Sequence, residues 1–132
     1  MGLVFDTGIL IEIERKNEKL MSILKELSLD FPQNPSITAI TYSEFYYGYL
    51  SKSNKNKELA QQELEKYEIL NTTKNSSKIF AELKFNVEQK GRLIPLLDLL
   101  IASIVIDNGM TLVTSDNHFN EVEKLEKIVL QA

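Results

Sequence analysis

Five short apolar runs alternate along this chain with longer stretches whose apolar residues recur at helical spacing, and that alternation limits the fold more than any single motif does. The runs are Gly2–Phe5, Ser36–Ile40, Tyr67–Leu70, Met110–Thr114 and Lys127–Leu130. Short, branched and bounded by turn residues, they read as strands buried on both faces. Between them, Ile9–Ile13 forms one short helical stretch, and Leu20, Ile23, Leu24 and Leu27 mark the inner face of a second helix, with Glu18, Lys19, Lys25 and Glu26 outside. Further helices are expected from Thr41 through Leu50, from about Asn56 to Lys66, around Ile79, Phe80, Leu83 and Val87 up to a cap at Gly91, and from Pro95 to Ile106 ahead of Asn108-Gly109. Strands that alternate with helices pair in parallel through right-handed crossovers. The expectation is an α/β fold, a three-layer α/β/α sandwich around a central, mostly parallel five-stranded sheet, forming one domain over residues 1–132.

Composition narrows the chemistry. There is no cysteine, which excludes a disulfide framework, a thiolate zinc site and a cysteine nucleophile, and points to the cytoplasm. The start, Met1 to Asp6, has neither an export signal nor a myristoylation signal, and no apolar run is long enough to span a bilayer. Fifteen Lys and Arg against 19 Asp and Glu give a net charge of −4, which argues against holding nucleic acid by bulk phosphate neutralisation. Walker A and dinucleotide-binding loops are absent.

Asp98 is the most informative single residue. It is the only charge from Leu93 to Ile106, and an unpaired buried carboxylate costs on the order of several kcal/mol. Either the helix N-terminus stabilises it or a bound cation does. Three more acids fall where ligands bind in open α/β sheets, beyond the carboxyl ends of the strands. Asp6 follows the first strand, Glu44 sits in the first turn after the second, and Asp116 comes two residues after the fourth. Each has a structural explanation. Thr41 and Glu44 fit a capping box, Asp6 can cap the next helix, and Asp116 can open an Asx-turn. Independent caps, however, have no reason to converge. Hard oxygen donors with a single histidine, His118, favour magnesium or manganese over zinc, and hence phosphate-ester chemistry. A metal-free ribonuclease mechanism wants two acid/base groups, and His118 alone reads as a surface residue.

The strings Val4-Phe5-Asp6-Thr7, Ile40-Thr41-Tyr42-Ser43-Glu44-Phe45, Pro95-Leu96-Leu97-Asp98-Leu99-Leu100-Ile101-Ala102 and Leu112-Val113-Thr114-Ser115-Asp116-Asn117-His118-Phe119 resemble the PIN-domain nucleases, and among them the VapC-like toxins of toxin–antitoxin pairs. The resemblance implies metal-binding catalytic acids at Asp6, Glu44, Asp98 and Asp116, with Thr7 and Thr114 in support. It also implies a Mg²⁺- or Mn²⁺-dependent endoribonuclease, an RNA substrate and a cognate antitoxin. Two positions depart from the family pattern: Gly8, where Asn or Ser is usual, and His118, where a further acid is usual. Tyr42, Phe45, Tyr46, Tyr47 and Tyr49 crowd one helix with aromatics, as core packing, a homodimer seam or an antitoxin groove would require. Alternatives are a PIN nuclease for RNA processing or structured DNA, and a metal-free interaction module.

Overall fold

The structure, a computed structural model, describes residues 2–131. Strands β1 (Leu3–Phe5), β2 (Ser36–Thr38), β3 (Glu68–Leu70), β4 (Thr111–Thr114) and β5 (Lys127–Val129) form one sheet in the order β3-β2-β1-β4-β5. Every pairing is parallel, so the sheet expected to be mostly parallel is wholly so. In register, Val4 faces Ser36 on one side and Leu112 on the other. Strand order therefore reverses at β1, and the crevice between the carboxyl ends of β1 and β4 is the switch point where such sheets bind ligands.

Helices α1 (Thr7–Glu14), α2 (Glu18–Asp30), α3 (Ala39–Tyr49), α4 (Asn54–Leu64), α5 (Lys74–Gln89) and α6 (Leu96–Asp107) cover the sheet. The two-residue period of the strands separates two cores. Leu3, Phe5 and Val113 join Ile9, Leu10, Ile37, Phe45 and Leu64 on one face, while Val4 and Leu112 join Leu83, Leu99, Ile104 and Phe119 on the other. That is the expected three-layer arrangement. α5 and α6 form an antiparallel hairpin, closed where Thr73 and Asn75 each donate to the Asp107 carboxylate at 2.7 Å. No helix among the described residues is long and apolar enough to cross a membrane.

Two turns use glycine as the sequence suggests. Gly91 and Gly109 adopt φ of 69° and 63°, which residues with a side chain rarely reach. Other expectations need correction. β2 ends at Thr38, and α3 starts at Ala39 because the Thr38 hydroxyl accepts from the Thr41 amide at 3.1 Å. The Thr41/Glu44 capping box therefore does not form, and Glu44 lies in the second turn of α3. A genuine capping box occurs at Thr73 and Ser76, which starts α5 earlier than its apolar spacing indicates. Pro95 occupies the cap position ahead of α6 and not its first turn. The apolar run leading into α6 is not buried throughout: Ile94 and the stretch from Leu99 onward join the core, while Leu93, Leu96 and Leu97 are exposed.

Candidate metal centre at the sheet edge

The four acids reach the carboxyl edge from four different elements. Asp6 is the residue between β1 and α1, in the N-cap position, yet its side chain makes no cap hydrogen bond. It is buried, and its carboxylate accepts from the Thr114 hydroxyl at 2.7 Å. The same hydroxyl accepts from the Asp116 amide at 3.0 Å, so the end of β4 fixes two of the acids with one oxygen. Burial raises the Asp6 pKa above its ordinary value, and the charges of Glu44 and Asp116 push the same way, against the hydrogen bonds from Thr114 and Thr7.

Glu44 is held from the neighbouring strand end. The Thr7 hydroxyl donates to its Oε1 at 2.6 Å, with the Thr41 hydroxyl 3.4 Å from that of Thr7. Asp98 stands in the first turn of α6. Its pKa is raised to about 7, first by burial, then by Asp116 and Asp6, while His118 opposes the shift. Asp116 heads a 3-10 helix, Asn117–Glu121, and accepts from the His118 amide at 2.9 Å, the expected Asx-turn.

His118 is more than a surface histidine. Its Nδ1 lies 3.0 Å from Asp116 Oδ1 and 3.5 Å from Asp98 Oδ2. Donor atoms of Asp98, Asp116 and His118 all fall within 4.8 Å of one another, the group among the described residues spaced to hold an ion together. Asp6 and Glu44 stand outside that tight group, drawn toward their threonines, but within electrostatic reach. Sequence reasoning undervalued His118 because a lone histidine in a loop carries no periodic signal. The pointers were its place two residues after Asp116 and its standing where the PIN pattern usually has a further acid. The glycine at position 8 has a local cause: a Cβ there would stand 3.3 Å from Ser115 Oγ, tighter than most real contacts.

A divalent cation fits this donor set. The centre offers hard carboxylate oxygens and one imidazole nitrogen, and no Lys or Arg pairs with any of the four acids among the described residues. Asp6 and Asp98, whose pKa values neighbouring carboxylates help to raise, have only the half-exposed His118 as a basic group close to the cluster, and protons or a metal ion supply the remaining compensation.

The PIN domain model matches residues 3–125. The chain belongs to the PIN domain family. Within it, this member is similar to ribonuclease VapC2 of Rickettsia felis, with 36% identity over 100 residues, 73% of this chain and 72% of that protein. VapBC2 from Rickettsia felis, solved bound to a DNA fragment from its promoter, superposes with a TM-score of 0.86 at 26% identity, covering 99% of this chain and 100% of that one. A toxin–antitoxin complex from Klebsiella pneumoniae shares the fold, with a TM-score of 0.78 at 17% identity, covering 99% of this chain and 100% of that one.

Proposed function

We propose that this chain is a divalent-metal-dependent endoribonuclease that hydrolyses RNA phosphodiester bonds in the cytoplasm, and that it is the toxin of a toxin–antitoxin pair. The observation that carries the reading is the convergence of Asp6, Glu44, Asp98 and Asp116 without a compensating Lys or Arg. Likeness to a protein named a ribonuclease supports the substrate, and likeness to toxin–antitoxin complexes supports the partner.

Asp98, Asp116 and Asp6 are the residues to hold Mg²⁺ or Mn²⁺, with Glu44 beside them. Such an ion, when bound, lowers the pKa of water and neutralises charge on phosphate oxygens. The protein's own part is orientation. Thr114 fixes Asp6 and the Asp116 backbone, Thr7 fixes Glu44, and His118 fixes Asp116. Glu44, with Oε1 taken by Thr7, has its other carboxylate oxygen to ligate the ion or to orient its water.

The aromatics of α3 divide between two uses. Tyr42 and Tyr49 pack against the core beside Phe45, and Tyr46 stacks on both at ring separations of 6.2 and 4.7 Å. Tyr47, at 79% exposure, packs against neither and supports a seam with an antitoxin or a second copy.

Incubation of total RNA with the protein in Mn²⁺ and in EDTA tests the activity. The expected result is cleavage in Mn²⁺ alone, leaving 5′-phosphate and 3′-hydroxyl ends. Undiminished cleavage in EDTA, or 2′,3′-cyclic phosphate ends, overturns it. A metal-free interaction module cleaves under neither condition.

A further inference from the structure

We propose that Arg92 forms a phosphate subsite for the RNA strand, in the open cleft that Asp116 and His118 line, and that Glu121 occupies this subsite when RNA is absent. The inference rests on the ribonuclease reading above and adds to it where the flanking part of the strand is held.

The cleft measures about 520 Å³, and its walls include Arg92, Leu93, Asp116, Asn117, His118 and Glu121. Arg92 is the one permanently charged cation among these lining residues. Its backbone is fixed by the end of α5: the Gly91 amide donates to the Glu88 carbonyl at 3.0 Å and the Arg92 amide to the Val87 carbonyl at 2.9 Å, a closed Schellman turn with Gly91 in the left-handed region. The guanidinium is therefore presented from a rigid point, with half of its side chain exposed, toward the segment that carries Asp116. There it pairs with Glu121, at the far end of the 3-10 helix that Asp116 begins. Lys90 and Glu123 make a parallel link at 3.3 Å between the same two segments.

An RNA strand approaching the acids meets repulsion from them and from a net charge of −4. A fixed guanidinium at the rim counters that repulsion and sets the strand's register, because phosphate contacts position a nucleic acid and arginine grips phosphate through two parallel hydrogen bonds. Exposed ion pairs contribute little to stability, so exchanging the Glu121 carboxylate for a phosphate disturbs little. Glu121 keeps the guanidinium extended across the cleft until RNA arrives.

The test is binding of a short fluorescein-labelled oligoribonucleotide of mixed sequence, followed by anisotropy in Ca²⁺ across a potassium chloride series, with melting temperatures alongside. Arg92→Ala is expected to weaken binding about tenfold and to make the dependence of log affinity on log salt shallower by about 0.7, the signature of one lost phosphate contact on a single strand. Arg92→Lys restores the salt slope and only part of the affinity. Glu121→Gln tightens binding several-fold by freeing Arg92. Lys55→Ala, which removes the same charge from the exposed surface of α4, leaves binding within about twofold, as expected for a cation that makes no phosphate contact. Equal effects of Arg92→Ala and Lys55→Ala, no binding by the wild type, or a Glu121→Gln variant that binds more weakly and melts lower overturn the subsite. In the last case the pair only pins two loops together. Cleavage of total RNA by the wild type in Mn²⁺ separates the two readings. If the wild type cuts RNA while Arg92→Ala binds as well as it does, only the subsite falls. If the wild type does not cut, the ribonuclease reading falls and takes the subsite with it.

Discussion

The hydroxyl of Thr7 donates to the carboxylate of Glu44 across 2.6 Å, joining two residues 37 apart in sequence and tying the start of α1 to the second turn of α3. Thr114, the last residue of β4, serves Asp6 in the same way, so two threonines at the carboxyl edge of the sheet hold two of the four acids. Such supporting contacts fix which carboxylate oxygen faces an ion and which is occupied by the protein.

Replacing Thr7 with valine preserves shape and removes the donor. Thr7→Val is expected to slow single-turnover RNA cleavage in Mn²⁺ by roughly 10–100-fold, the usual cost of losing a group that orients a metal-site carboxylate. Its melting temperature should change little. Cleavage at the wild-type rate would show that Glu44 needs no orientation from Thr7.

Thr114→Val acts on stability as well. Thr114 is fully buried, and its hydroxyl both donates to Asp6 and accepts from the Asp116 amide at 3.0 Å. Orphaning both costs about 1.5–3 kcal/mol, as for hydrogen bonds that involve a charged group. Urea denaturation in EDTA measures the loss, and an unchanged midpoint would refute the role given to this hydroxyl.

Asp98 yields a dependence on pH with a definite sign. Its folded pKa of about 7 stands above the ordinary 3.8, first through burial and then through Asp116 and Asp6. The folded protein therefore holds the proton more tightly than the unfolded chain does. The stability this group contributes to the metal-free protein is complete below the ordinary value and is lost as pH rises to about 7. Asp6 is shifted in the same direction. Ion binding needs the deprotonated acids and runs the opposite way, with Mn²⁺ affinity rising about tenfold per pH unit up to the Asp98 pKa and levelling above it. Calorimetric Mn²⁺ titrations on either side of neutrality check this, and a flat profile contradicts it.

Tyr47 separates partner binding from folding. It is 79% exposed and belongs to neither core. Tyr47→Ser should leave the melting temperature unchanged and weaken pairing with a cognate antitoxin or a second copy by about tenfold, as loss of an aromatic anchor does. Analytical ultracentrifugation of the variant, alone and with the antitoxin, reads this directly, and unaltered association contradicts it.

Much of this was legible in the sequence, and the gaps have physical causes. Strand and helix order follow from hydrophobic period, which is local. So is the placement of Asp6 and Asp116 just past strand ends, and both were found. Asp98 stood out because a charge inside an apolar helix demands compensation. Glu44 was found for its position but given the wrong turn, because Thr38 and Thr41 are equivalent as caps in sequence and only the end of β2 decides between them. The bridging of two acids by His118 was hidden, since Asp98 and His118 are brought together only by the packing of α6 against the 3-10 helix.

The most direct measurement is thermal melting of the wild type and Asp98→Asn, each in EDTA and in millimolar Mn²⁺. If the four acids form an ion site, the metal-free wild type carries carboxylates that repel one another, and neutralising Asp98 relieves that repulsion. Asp98→Asn should then fail to cleave RNA, melt at the same or a higher temperature than the wild type in EDTA, and lose most of the stabilisation that Mn²⁺ gives the wild type. If Asp98 serves the helix terminus alone, its replacement lowers the melting temperature with or without metal. A clear fall in EDTA would remove Asp98 from the centre and contradict the account.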